Sequence, residues 1–144
     1  DYLERAGLQD DTLVIYSADH GAYHGAFGVP EKAPGICSEA VCRIPMIWRV
    51  PGVTPAGGTV DALLESVDVA ATIPGLCGLA PMQTTDGRDI TPLLAGRGGA
   101  VREVAVTENP WSKAIRWANW RFVHYPSGLF GTEEWCELYD LSSD

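Results

Sequence analysis

The sequence predicts an α/β domain ending in a small antiparallel sheet. Three observations carry this expectation. The run Thr12-Leu13-Val14-Ile15-Tyr16-Ser17-Ala18 is β-branched and aromatic and follows a helix end and a polar turn, Gln9-Asp10-Asp11. Val67 to Leu79 is long and apolar enough for a packed helix. The last third changes to short alternating segments around turn residues, the mark of hairpins.

The elements follow in order. Tyr2, Leu3 and Ala6 read as the side of a helix that Gly7 stops. Residues 12–18 then form a strand, expected in a parallel sheet and buried on both faces. Asp19-His20-Gly21 leaves that strand at its carboxyl end, where loops of open α/β sheets converge on ligands. Residues 21–35 are rich in glycine and proline and read as a loop. Ser38 to Arg43 suits a short helix stopped before Pro45. Met46 to Val50 is a second buried strand, ended by Pro51-Gly52.

Val67 to Leu79 takes Ser66 or Asp68 as its cap, and Pro74-Gly75 is expected to kink or split it. Arg88 to Ala95 is a short segment with Asp89 or Thr91 as cap and Pro92 in its first turn. Gly96 to Ala100 reads as a flexible joint. It divides a larger part, residues 1–97, from a small antiparallel part, residues 98–144. In the latter, Glu103–Thr107 and Glu137–Leu141 are strands. Ala114–Trp117 and Trp120–Tyr125 form a hairpin around Ala118-Asn119.

Composition narrows the function classes. The 144 residues are 46% hydrophobic and 20% charged, a globular balance. A net charge of −9 argues against a nucleic-acid partner, whose phosphates are met with basic surfaces. It does not argue against a small anionic substrate, because a metal and a few cations reverse the sign within one cleft. No apolar run approaches the roughly 20 residues that span a bilayer. The chain opens within a helix and lacks both an initiator Met and a leader pattern, so it is expected to be a piece of a longer one. Cys37, Cys42, Cys77 and Cys136 make no metal-binding spacing and read as buried thiols before disulfides. Compartment and oligomeric state are not legible.

Asp19 and His20 are the first candidate ligands. A carboxylate oxygen and a neutral imidazole nitrogen both suit a divalent cation, and a bend after the strand lets consecutive side chains face one ion. From these residues alone, a turn aspartate and a hydrogen-bonded surface histidine are the better fit.

The wider pattern is more specific. Asp19-His20-Gly21, Gly25, Gly28, Lys32, Glu39, Arg43-Ile44-Pro45 and Arg49-Val50-Pro51-Gly52 occur in order. Ser66-Val67-Asp68, Gly87-Arg88-Asp89, Pro92-Leu93-Leu94 and Glu137-Leu138-Tyr139-Asp140-Leu141 follow. This series resembles the sulfatase family of the alkaline-phosphatase-like superfamily, over nearly the whole chain. The resemblance implies an alkaline-phosphatase-like α/β fold with a mixed sheet and a sulfate ester as substrate. It implies a single divalent cation, usually Ca2+ with Mn2+ or Mg2+ as alternatives, bound by Asp19 and His20. Lys32 matches the lysine that contacts sulfate, where a cation stabilises charge in the transition state. Glu39 and Arg43 match pattern residues and read as a structural ion pair.

The family carries further metal ligands, an Asp-Asp pair, near its N-terminus, and a Cys-or-Ser-x-Pro-x-Arg segment, the source of a formylglycine nucleophile, that does not occur in these 144 residues. Both are expected within the roughly 300 residues that should lie upstream, so this chain alone is expected not to turn over substrate. Phe27 stands where the family often has histidine, Pro30-Glu31 where it often has Trp-Gly, and His24 is read as solvated. Trp111, after Asn109-Pro110, is the tryptophan best placed by sequence to line a substrate cleft; the others read as sheet packing. Two rivals stand beside sulfate ester hydrolysis. One is a phosphodiesterase or phosphonate monoester hydrolase of the same superfamily. The other is a non-catalytic binding module with a vestigial site.

Overall fold

The structure is a computed structural model that describes residues 2–32, 35–128 and 133–143. The loop expected over residues 21–35 extends across positions 33 and 34, outside the described residues. In chain order the elements are α1 (Tyr2–Arg5), β1 (Val14–Ser17), α2 (Glu39–Cys42), β2 (Met46–Arg49), α3 (Ser66–Leu76), α4 (Thr91–Leu94), β3 (Val104–Glu108), β4 (Lys113–Trp117), β5 (Trp120–Tyr125) and β6 (Trp135–Asp140). They fall into two compact units. One comprises Asp1–Ser17 with Pro45–Val101, the other Ala18–Ile44 with Arg102–Asp144.

In the first unit β1 pairs with β2, and the pairing is antiparallel, Val14 opposite Arg49 and Ser17 opposite Met46. This corrects the parallel, doubly buried strand expected from the sequence. Tyr16 is 61% exposed, and Val14 and Ile47 are exposed as well. An unbroken apolar run reports β-propensity but neither the direction of its neighbour nor what covers its faces.

The helix α3 begins differently from expectation. Its cap is Glu65, in a capping box in which Asp68 at the third helical position bonds back to the Glu65 backbone N–H, 2.8 Å away. Neither Ser66 nor Asp68 is the cap. Pro74 does not split the helix, because it lies in the last turn, where few bonds remain to be lost. Two residues later the helix closes in a Schellman motif. Leu79 N–H bonds to the Pro74 carbonyl at 2.8 Å and Gly78 N–H to the Gly75 carbonyl at 3.2 Å, with Gly78 at φ 71. Ahead of α4, Asp89 Oδ1 accepts both the N–H and the hydroxyl of Thr91, and Pro92 sits in the first turn.

The second unit holds a four-stranded antiparallel sheet in the order β3-β4-β5-β6. Ala118 and Asn119 alone connect β4 to β5, with Trp117 opposite Trp120. Strand alternation puts Ala114, Arg121, Val123 and Tyr125 on the buried side, while Val106, Ile115 and Leu138 are exposed on the other. The buried side packs on the segment from Cys37 through α2. Cys37, Ala114, Val123 and Tyr125 form one cluster, joined by Cys42 and Trp135. The Tyr125 and Trp135 rings stack with centroids 4.4 Å apart. All four cysteines are free thiols. Only Cys37 is fully buried, and Cys77 and Cys136 are exposed, against the expectation of buried thiols.

Glu39 is tied into the sheet. Its Oε1 accepts from Arg121 Nη2 and, at 3.1 Å, from Nε, while Arg116 Nε lies 3.5 Å away. Arg121 also donates to the Cys37 carbonyl at 3.1 Å. The partner of Glu39 is therefore not Arg43, which is exposed; the strands beneath α2 supply closer and better buried guanidinium groups. Among the described residues no helix is long and apolar enough to cross a membrane.

Candidate functional site

The strand β1 ends at Ser17, and Asp19-His20-Gly21 forms the turn beyond it. Gly21 makes this turn possible. Its N–H bonds to the Val41 carbonyl at 2.8 Å, and a Cβ at position 21 would meet the Ala40 carbonyl oxygen at 2.0 Å. The turn therefore rests on the backbone of α2, and only glycine fits there.

His20 is oriented by this neighbour. Its Nδ1 lies 2.8 Å from the Gly21 carbonyl oxygen, which only accepts, so Nδ1 carries the proton. Nε2 then presents a lone pair, and the ammonium of Lys32 donates to it at 3.0 Å. Asp19 Oδ2 stands 3.5 Å from the same Nε2. The Asp19 carboxyl is held below the ordinary carboxylate range, first by the His20 backbone N–H that donates to Oδ1 at 2.9 Å.

Two acceptors, a carboxylate oxygen and an imidazole lone pair, thus face each other with a cation beside them. Without a positive charge between them they would repel. The donor set suits a divalent cation that accepts both oxygen and nitrogen, and Nδ1–H on a carbonyl is the arrangement that leaves Nε2 free as a ligand. Among the described residues no group of three or more His, Cys, Asp or Glu side chains is gathered, so Asp19 and His20 form a partial ligand set.

The segment carrying Lys32 is stitched in place. Tyr23 N–H bonds to the Glu31 carbonyl at 3.0 Å and Gly25 N–H to the Val29 carbonyl at 2.9 Å, folding residues 23–31 back on themselves. At the tip, Phe27 is 89% exposed and has φ 56, left-handed geometry that is uncommon for an aromatic residue. His24 is also exposed.

Trp111 belongs to a different set of bonds within the same unit. Asn109 Oδ1 accepts the backbone N–H groups of Trp111 and Ser112 at 2.8 and 2.9 Å, an Asx-type turn. Gly35 packs so closely on Trp111 that a Cβ there would stand 2.8 Å from Trp111 Cβ. The indole is 39% exposed. So Asp19, His20 and Lys32 share direct bonds, while Trp111 has partners of its own.

Two polar groups were not singled out from the sequence. Ser112 is buried and bonds to the Gly35 carbonyl and to Cys37 Sγ. The Tyr23 hydroxyl donates to Ser38 Oγ at 2.6 Å. The Asn-Pro-x-Ser turn signal at 109–112 was available in the sequence; nothing local marks the Tyr23–Ser38 pair, which are 15 residues apart.

A family model described as Sulfatase matches residues 1–79. An extracellular sulfatase SULF-1 homolog of Drosophila melanogaster is 37% identical over 101 residues, which are 70% of this chain and 9% of that protein. An N-acetylglucosamine-6-O-sulfatase of Bacteroides thetaiotaomicron is 27% identical over 162 aligned positions, 99% of this chain and 27% of that protein. The solved structure of BT4656 in complex with its substrate D-glucosamine-2-N,6-O-disulfate matches with a TM-score of 0.84 at 26% identity, covering 99% of this chain and 30% of that one. The chain thus spans less than a third of the length of these proteins, and its mixed α/β architecture is that of the corresponding part of the alkaline-phosphatase-like fold. With the family match running through the turn that bears Asp19 and His20 and on past Lys32, the chain belongs to the sulfatase family.

Proposed function

We propose that this chain is part of a metal-dependent sulfatase that hydrolyses a sulfate ester, with Asp19 and His20 as metal ligands and Lys32 as the sulfate contact. One observation carries the reading: His20 Nε2 faces Asp19 Oδ2 at 3.5 Å and Lys32 Nζ at 3.0 Å. Two acceptors and one ammonium meeting at a glycine-seated turn suit an anionic substrate held beside a cation.

When bound, the divalent cation, Ca2+ on the family precedent, supplies charge that polarises the sulfate oxygens. Asp19 contributes an oxygen that is ionised well below neutral pH, and His20 contributes Nε2 in the required tautomer. Lys32 gives up its bond to Nε2 and donates to a sulfate oxygen, where negative charge grows as the ester bond breaks. The nucleophile, a formylglycine in the family, and the remaining metal ligands are assigned to a segment outside these 144 residues. Because relatives named above act on glucosamine sulfates, such sugars are the first substrates to assay.

The test uses the full-length protein that contains this chain. Asp19→Ala and Lys32→Met should each lower kcat/KM on a sulfate monoester by about 100-fold or more. Wild-type turnover in both variants would leave a vestigial site, and a preference for a phosphonate monoester over the sulfate would move the protein to the neighbouring reaction class.

A further inference from the structure

The hydroxyl of Ser38 is spent in an unexpected place. Ser38 occupies the N-cap position of α2, with extended backbone angles suited to capping, yet its side chain makes no cap bond. Its Oγ instead receives the Tyr23 hydroxyl at 2.6 Å. Tyr23 is itself buried, and its ring meets Phe27 edge-on with centroids 6.1 Å apart.

Tyr23 thus sits where three parts of the site join. It lies two residues beyond Gly21, whose N–H is anchored to Val41 at the far end of α2. Its own N–H holds the Glu31 carbonyl, directly before Lys32. Its hydroxyl holds Ser38 at the near end of α2. The base of this arrangement is firm, because α2 is clamped to the sheet through Glu39 and Arg121 and the Cys37 carbonyl is clamped through Arg121. An exposed lysine on a glycine-rich loop ordinarily samples many rotamers at little cost. Here the backbone that carries it is bonded through the Glu31 carbonyl to Tyr23, and Tyr23 is tied to the start of the helix on which the His20 turn also rests.

We propose that Tyr23 is a positioning residue for Lys32: its hydroxyl bond to Ser38 fixes the folded-back segment 23–31 on α2 and so holds the Lys32 ammonium beside His20. This rests on the reading of Lys32 as the sulfate contact. Small displacements of a charged group from its working position cost rate out of proportion to the stability lost.

A double-mutant cycle in the full-length protein tests it, with para-nitrophenyl sulfate as the probe. Tyr23→Phe keeps the ring and its contact with Phe27 and removes only the hydroxyl. It should lower kcat/KM about tenfold when Lys32 is present and change it by less than about twofold in a Lys32→Ala background. Ser38→Ala should behave the same way from the other side of the bond, which keeps the test informative if either variant folds poorly. A residue that merely stabilises the fold would lower activity by equal factors in both backgrounds, and that result, or wild-type kcat/KM in both Tyr23→Phe and Ser38→Ala, overturns the proposal. Wild-type activity in Lys32→Ala alone would instead strike at the role of Lys32 and is distinguishable from failure of the positioning claim.

Discussion

Asp68 Oδ1 accepts the backbone N–H of Arg88 at 2.8 Å, across 20 residues of sequence. Its second oxygen closes the capping box of α3, and the side chain is fully buried. Thr72 continues the seam: it donates to the Asp68 carbonyl and accepts the Ile90 N–H at 3.1 Å. Gly87 lets the two segments approach, since a Cβ there would stand 2.3 Å from the Val67 carbonyl oxygen. Asp68→Ala strips partners from two backbone donors at once. It should destabilise the protein by about 3 kcal/mol, read as a fall in the urea midpoint at constant slope. Asp68→Asn, which keeps one good acceptor, should cost less.

The ion pair beneath the site gives a second expectation. Arg121 is 5% exposed and depends on Glu39 for its charge partner. Glu39→Ala leaves that guanidinium buried with only the Cys37 carbonyl and the loss should be about 3 kcal/mol. Adding Arg121→Met to Glu39→Ala removes the orphaned charge and should recover part of the loss. Equal stability of the single and double variants would show that burial of the charge is not what matters.

Metal binding is expected to appear as stabilisation before any assay of turnover. A cation that binds only the folded protein contributes about 2.7 kcal/mol at 100 times its Kd. Calcium added to the metal-free full-length protein should therefore raise Tm, and chelator should reverse the shift. Asp19→Asn should shrink the shift. Gly21→Ala should abolish it, because its Cβ would displace the turn from Ala40. An identical calcium-induced shift in wild type and Gly21→Ala would count against this turn as a ligand.

The thiols separate acidity from access. Cys37 is pulled down to about 6, first by the Cys42 thiol beside it and then by Ser112 and Arg121, while Cys42 is pushed up by the same contact. Acidity would make Cys37 the most reactive thiol of the four. Burial argues the reverse, since only 1% of it is exposed. Access should win. Brief iodoacetamide treatment of the native protein, mapped by peptide mass spectrometry, should label Cys77 and Cys136 and spare Cys37. Preferential labelling of Cys37 would mean that the sheet opens readily over α2.

Much of the fold was legible because its signals are local. The Ala118-Asn119 hairpin, the helix stop at Gly7 and the strands of the final sheet each follow from a few adjacent residues and appear where expected. The same locality explains the errors. Pro74 predicts a kink or break on local grounds, but the effect of a proline depends on its distance from the helix end, and three residues before the cap it is tolerated. The motif pattern suggests Arg43 as the partner of Glu39, while the guanidinium groups that reach it arrive from β4 and β5, about 80 residues on.

By itself the order of residues determined the family, the element types and the short list Asp19, His20 and Lys32, because motif chemistry and hydrophobic period are written along the chain. Only the tertiary structure decided the direction of β1 against β2, the partner of Glu39 and the use of Ser38 by Tyr23 rather than by its own helix. Each of these is a choice among partners far apart in sequence, and such choices are made by which groups packing brings within hydrogen-bond reach, a quantity no local pattern contains.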